Sequence, residues 1–148
     1  MADLHAFAAL VPQDHGLIVV VTRRPDHTPH ATVVNGGVLA HPVTGDEVVG
    51  FVAAGGSRKQ VHLRADPTIT LTIRAGWQWA TVEGTAELIG PDDPRPDIDD
   101  ERLRLLLREV FTAAGGTHDD WDAYDRAMRE ERRTAVLVTP HRSYTNPT

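Results

Sequence analysis

Short aliphatic runs separated by turn residues fill the first ninety residues and constrain the fold more than any other feature. β-Branched residues and turn signals predict strands over 16–22, 31–39, 47–53, 68–73 and 77–88. One short helix is predicted over 58–65, and a last strand over 134–139 that Pro140 should stop. The pattern is typical of a mainly β fold, and we expect an antiparallel barrel of about six strands.

Glycines inside the predicted strands mark places where the sheet is irregular or crowded. Gly36 and Gly37 lie within the second strand, where paired glycines indicate a bulge or the close approach of another group. Gly84 lies within the fifth strand and predicts a bulge there.

Helical periodicity appears only between the fifth and the last strand. Asp99 can cap a helix whose apolar stripe contains Leu103, Leu107 and Val110, and a second helix follows after two glycines. We therefore expect a single domain over 1–148, an antiparallel barrel with a helical insertion over about 98–133.

Composition excludes several classes of function. The 148 residues contain no cysteine, which rules out disulfides, thiolate nucleophiles and cysteine-bound metals. The net charge of −6 argues against a nucleic-acid partner, and no apolar run could span a membrane. Histidine spacing supports no metal site, and neither serine lies in a hydrolase elbow. We expect a cytoplasmic protein.

Two tryptophans stand two residues apart on the fifth predicted strand. Trp77 and Trp79 would share one face of this strand, while Ala80 and Val82 face the core. Large aromatic side chains on the outer face need a cover, which could be a partner subunit or a flat ligand. The alternative is that both indoles serve packing alone.

The segment Gly55-Gly56-Ser57-Arg58-Lys59 is the best candidate for an anion site. Two glycines allow a turn, and a hydroxyl and two cations then open the short helix. The glycine spacing is wrong for a Walker loop. A solvated basic helix start explains the same residues.

The order of these features resembles the pyridoxamine phosphate oxidase-like split β-barrel superfamily, whose fold is FMN-binding-like. The resemblance rests on the Lys-x-x-x-Leu-x-x-Asp-Pro run that begins at Lys59, and on Trp77-Gln78-Trp79 followed by Glu83-Gly84-Thr85-Ala86. The second motif is most similar to the actinobacterial flavin/deazaflavin oxidoreductases of the B group. The similarity extends over about residues 4–144.

This resemblance implies a homodimer with coenzyme F420 at the subunit interface. Ser57, Arg58 and Lys59 would hold the cofactor phosphate, although many relatives space two cations as Arg-x-Lys and Ser57 replaces the first. The ring would be lined by Val34 and Asn35 and approached by Ala53 and Ala54. Trp77 and Trp79 of the other subunit would cover it.

The resemblance further implies an enzyme that transfers a hydride from reduced deazaflavin to a flat conjugated acceptor. The cofactor would supply this chemistry, so no catalytic side chain is expected. Three alternatives stay open: an FMN-dependent oxidoreductase of the same fold, a non-catalytic F420 carrier, and a haem-binding barrel with His62 or His118 as the first candidate ligands.

Overall fold

The computed structural model describes residues 2–147, which form six strands and four α-helices. In chain order these elements are α1 (His5–Leu10), β1 (Leu17–Arg23), β2 (Pro29–Ala40), β3 (Glu47–Ala53), α2 (Arg58–Ala65), β4 (Thr68–Ala75), β5 (Gln78–Ile89), α3 (Asp100–Ala113), α4 (Trp121–Glu130) and β6 (Thr134–Thr145). A 3₁₀ turn, Val11–Gln13, follows α1.

The strands close into a barrel in the order β1-β2-β3-β6-β5-β4, and every neighbouring pair is antiparallel. The mainly β fold class and the six-stranded barrel are therefore confirmed. The barrel core is built from strand residues that point inward, among them Ile18, Val20, Phe51, Leu71, Val82 and Val138.

The barrel is split between β2 and β3. These strands pair only from Gly36 to Ala40, whereas the preceding half of β2, from Pro29 to Asn35, pairs with β1 alone. On the other side of the gap, β3 ends at Ala53, and the chain turns directly into α2. The split therefore leaves an opening between the middle of β2 and the start of α2.

The largest difference from a predicted strand boundary lies at the end of β6. Strand β6 continues past Pro140 to Thr145, because Pro140 lies opposite Gly84 at a register shift in the β5–β6 ladder. A bulge tolerates a residue that lacks an amide proton. The predicted bulge at Gly84 is thus confirmed, and it is the reason that Pro140 does not stop the strand.

Trp77 does not belong to a strand. Ala75 pairs with Gln78, so Gly76 and Trp77 form a two-residue hairpin loop. Gly76 has a φ of 60°, which suits the first position of such a loop. Trp79, in contrast, lies within β5, and Ala80 and Val82 face the core as predicted.

The helical insertion packs on the barrel through a second core cluster. This cluster joins Leu106, Leu107 and Val110 of α3 to Tyr124 of α4 and Leu137 of β6. The end of α3 lies against β2. A Cβ atom on Gly37 would overlap the carbonyl oxygen of Ala113, which confirms the predicted close approach of another group at the glycine pair.

Asp125 joins the two helices of the insertion. It is buried and accepts hydrogen bonds from Arg108, at 3.0 and 2.5 Å, and from Arg104, at 3.0 Å. The hydrogen bonds from Arg108, and then those from Arg104, lower the pKa of this carboxyl.

A lowered pKa in the folded state stabilises the protein above the ordinary carboxyl pKa, and the contribution is lost as the pH falls through the folded value. We therefore expect Asp125→Asn to lower the free energy of unfolding by about 1–2 kcal/mol at pH 7, because the amide still accepts one bond. Urea unfolding at pH 7 and in steps below pH 4 checks this. The difference from wild type should shrink in acid, and a constant difference would contradict the ionic role.

Candidate functional site

A cavity of about 660 Å³ opens at the split of the barrel. Its volume lies in the usual range for a site that holds a small organic ligand. Its lining comes from the turn before β1, from β2, from β3 and the start of α2, and from the helical insertion. The lining residues are His15, Val33, Val34, Asn35, Val52, Ala53, Ala54, Ser57, Lys59, Val110, Phe111, Ala114, Gly115, Gly116, Tyr124, Met128 and Arg133.

The structure brings six of the nine predicted cofactor residues together at this cavity. These are Val34, Asn35, Ala53, Ala54, Ser57 and Lys59. The other three lie outside it within this subunit. Arg58 is exposed at the start of α2, Trp77 is 93% exposed in its hairpin loop, and half-buried Trp79 packs edge-on against Tyr144, with ring centroids 6.1 Å apart.

Ser57 and Lys59 line one end of the cavity, at the start of α2. Ser57 occupies the N-cap position of α2, yet its hydroxyl makes no capping bond. The Oγ atom is buried and has no hydrogen-bond partner among the described residues. Burial lowers the pKa of the Lys59 ammonium, and within residues 2–147 no carboxylate lies within ion-pair distance of it. A bound phosphate would satisfy both groups.

Gln60 fixes the loop that precedes α2. Its side chain is fully buried, and its Nε2 donates a 2.9 Å hydrogen bond to the carbonyl oxygen of Ala54. Arg64 in turn donates to the Oε1 of Gln60 at 3.2 Å. The positions of Ala54 and Ser57 are therefore set by a buried amide that the sequence pattern did not single out.

The charge of the cavity is opposite to that of the chain. The net charge is −6, but none of the described residues that line the cavity carries a carboxylate, whereas Lys59 and Arg133 are cations. A wall of this kind favours an anionic ligand, since no carboxylate on the lining repels it.

His15 and Asn35 lie at the other end of the cavity. His15 has a φ of 59°, an uncommon value for a residue with a side chain. The Nδ2 of Asn35 donates a 2.8 Å hydrogen bond to the carbonyl oxygen of His15 and so holds this turn. Asn35 thus shapes the cavity by holding the backbone of His15 in place. The sequence pattern did not indicate a role for His15.

The insertion forms the apolar wall of the cavity through Phe111, Tyr124 and Met128. The hydroxyl of Tyr124 donates a 2.9 Å hydrogen bond to the carbonyl oxygen of Leu107. Burial raises the pKa of Tyr124 to about 12, so this residue is a neutral wall near pH 7. The sequence predicted the helices and their buried face but did not identify which residues would line the cavity.

The two histidines considered as haem ligands do not line this cavity. His62 lies on the buried side of α2, where its Nδ1 is 2.9 Å from the hydroxyl of Thr22. His118 packs among Phe111, Trp121 and Tyr124, and its Nδ1 accepts from the amide of Asp120. Both imidazoles have structural contacts that account for their positions.

Within residues 2–147, no helix has the length and apolar character needed to cross a bilayer. The longest, α3, has 14 residues. The cytoplasmic location stays a prediction.

Three solved structures share the fold at low sequence identity. An FMN-binding protein related to pyridoxamine 5'-phosphate oxidase, from Nostoc punctiforme, is 14% identical, with a TM-score of 0.67 over 98% of this chain and 84% of that chain. An F420 reductase is 16% identical, with a TM-score of 0.60 over 92% and 94%. A haem-binding protein from Mycobacterium smegmatis is 16% identical, with a TM-score of 0.64 over 99% and 55%.

The sequence profile of pyridoxamine 5'-phosphate oxidase matches residues 4–145, which include every strand of the barrel and both helices of the insertion. The closed antiparallel barrel, its split at β2 and the cavity in that split fall within this match. The chain therefore belongs to the pyridoxamine 5'-phosphate oxidase family.

Proposed function

We propose that the protein is an oxidoreductase that binds coenzyme F420 in the cavity at the barrel split and transfers a hydride from its reduced form to a flat conjugated acceptor. The observation that carries this proposal is the end of the cavity that Ser57 and Lys59 form. There, among the described residues, a buried hydroxyl without a hydrogen-bond partner and a half-buried ammonium share a wall that carries no carboxylate.

The residues present fit a phosphate-bearing cofactor. Lys59 and Ser57 would hold the phosphate, while Val34 and Asn35 would line the ring, and the chain at Ala53 and Ala54 would meet its edge. When bound, the deazaflavin supplies the hydride. Phe111, Tyr124 and Met128 would exclude water from the acceptor and orient it by apolar contact.

We propose a homodimer formed through the outer face of β1, β2, β4 and β5. Leu17 and Val19 are each 40% exposed on this face, and Val33, which pairs with Val19, is 62% exposed. Val19 pairs with Thr72, which pairs with Thr81, so Trp79 shares the same face. Val33 also lines the cavity, and a second copy bound here would therefore cover the apolar strip and narrow the cavity mouth.

A charge in this strip should separate the subunits. We expect Val19→Asp to convert a dimer into a monomer of 16.2 kDa, because a carboxylate would be buried without a partner. Light scattering after size exclusion checks the mass. Val43→Asp is the matched control, since Val43 is 50% exposed in the β2–β3 turn, away from the strip. A dimer that survives Val19→Asp would place the interface elsewhere.

Titration with coenzyme F420 and, in parallel, FMN tests the cofactor. Quenching of tryptophan fluorescence reports binding. It should saturate at low micromolar F420, and the affinity for FMN should be much weaker. The reduced complex is then offered conjugated acceptors, and loss of the reduced-deazaflavin absorbance reports turnover. Turnover supports an enzyme, whereas tight F420 binding without turnover of any acceptor favours a carrier.

FMN is the second candidate, because the family match does not distinguish the two cofactors and an FMN-binding protein shares the fold. Saturation by FMN alone would overturn the F420 assignment. Binding of neither would overturn both, and the absorption spectrum with added haem would then be measured.

A further inference from the structure

We propose that Arg133 is a third anion-binding residue of this cavity, supplied by the helical insertion, which receives a phosphate or carboxylate group of the ligand. The inference rests on the proposed function insofar as the ligand is the cofactor. It adds a contact that neither the predicted phosphate segment nor the strand pattern contains.

The backbone fixes Arg133 beside the phosphate segment. The amide of Gly55 donates a 3.0 Å hydrogen bond to the carbonyl oxygen of Glu131, and Thr134 pairs with Ala53. A Cβ atom on Gly55 would lie 2.7 Å from the Cβ of Arg132. The corner between α4 and β6 is therefore locked against the loop that precedes Ser57.

The guanidinium of Arg133 is engaged by a weak partner. Its Nε and Nη2 donate to the Oε1 of Glu131, at 3.1 and 2.7 Å, and the Glu131 side chain is 47% exposed. An exposed ion pair between close neighbours in the chain contributes little stability. The Glu131 carboxylate therefore occupies the donors that a ligand anion could take, and its displacement costs little.

The surroundings of Arg133 favour an anion on one side only. Arg133 and Met128 border both this cavity and a second one of about 520 Å³ between the insertion and the loop after β5. Among the described residues, the lining of the second cavity holds five carboxylates and five arginines, Arg133 included, whereas the lining of the first holds Lys59 and Arg133 and no carboxylate. The formal charges balance in the second cavity and leave an excess of positive charge in the first, which is therefore the place for a ligand anion.

Three neighbouring single variants test this inference. The affinity is measured for whichever of F420 and FMN binds more tightly. Arg133→Gln should weaken this affinity about tenfold, and Glu131→Gln should strengthen it about two- to fivefold by removing the competing carboxylate. Arg132→Gln is the control, because Arg132 pairs with Asp92 and does not line the first cavity. Calorimetry measures affinity, and circular dichroism confirms that each variant is folded.

The ligands distinguish the group that Arg133 binds. Equal losses for F420 and FMN indicate the phosphate, which both carry, whereas a loss for F420 alone indicates its glutamyl carboxylates. Inorganic pyrophosphate is titrated as well, so that the test does not depend on the cofactor. An Arg133→Gln variant that matches Arg132→Gln with every bound ligand overturns the inference. If wild type binds pyrophosphate but neither cofactor, only the proposed function fails, and if it binds none of the three, both fail.

Discussion

Replacing Lys59 with methionine should weaken cofactor binding roughly ten- to a hundredfold, the equivalent of about 1.5–3 kcal/mol for a charge-assisted hydrogen bond. Methionine keeps the apolar stem and most of the volume, so the loss reports the ammonium. The same substitution should stabilise the unliganded protein by roughly 0.5–1 kcal/mol, as is common when a functional group held at a cost is removed.

The pH dependence of that stability gain has a defined sign. Burial lowers the pKa of Lys59, so folding disfavours the charged form. The cost is complete below the folded pKa and disappears as the pH rises past the ordinary lysine value near 10.4. The gain from Lys59→Met should therefore be largest near neutral pH and shrink in alkaline buffer. An equal gain at every pH would indicate a packing effect instead.

Lys59 can also be observed directly, because it is the only lysine among the 148 residues. Reductive methylation with ¹³C-formaldehyde labels its amine and the chain's α-amine, and the two titrate in different ranges. We expect the Lys59 resonance to report a pKa below the usual lysine range. This pKa should rise when the cofactor phosphate binds. If the titration of this resonance is the same with and without the ligand, Lys59 does not belong to the binding site.

Gly37→Ala should lower the free energy of unfolding by about 3 kcal/mol or more, at the upper end of what overpacking costs. The new methyl group would overlap the carbonyl oxygen of Ala113 and lie 2.8 Å from the amide of Ala114. The end of α3 must then move away from β2. Since Ala114, Gly115 and Gly116 line the cavity, cofactor affinity should fall with stability.

Urea unfolding and the cofactor titration together check this prediction. Gly45→Ala is the control, because Gly45 has open space around it and only its φ of 77° opposes a side chain. It should cost about 1 kcal/mol and leave binding unchanged. Ala113→Gly should not rescue Gly37→Ala, since the obstructing atoms belong to the backbone. A rescue would mean that α3 contacts β2 through side chains.

The barrel could be predicted from the sequence because its pattern is local. β-Branched runs and turn residues mark each strand, and glycine at 37 and 84 marks a close contact and a bulge. The end of β6 could not be predicted in this way. Pro140 stops a regular strand, and only its pairing with Gly84 turns it into part of a bulge.

From the residue pattern alone, the site was predictable only where one segment carries it, whereas Val34, Asn35, Ala53 and Ala54 were predicted through the family resemblance. Ser57 and Lys59 are two residues apart, so their joint role is visible in the sequence. His15 and Arg133 reach the same cavity from positions far apart in the chain, and Arg133 gets there because Gly55 allows the α4–β6 corner to approach. Trp77 and Trp79 lie outside the cavity of their own subunit, and their predicted role depends on a partner.

The helical insertion touches the cavity-forming barrel segments where two glycines leave room for it, Gly37 below the end of α3 and Gly55 below the α4–β6 corner. These two close contacts fix the backbone of the insertion but place little constraint on its partly buried side chains that face the cavity. Phe111 and Met128, which are only partly buried, can therefore be exchanged without disturbing Ser57 or Lys59. Under the proposed function, this layout lets acceptor choice change while Ser57 and Lys59 stay in place, and it makes α3 and α4 a natural unit to graft between barrels of this family.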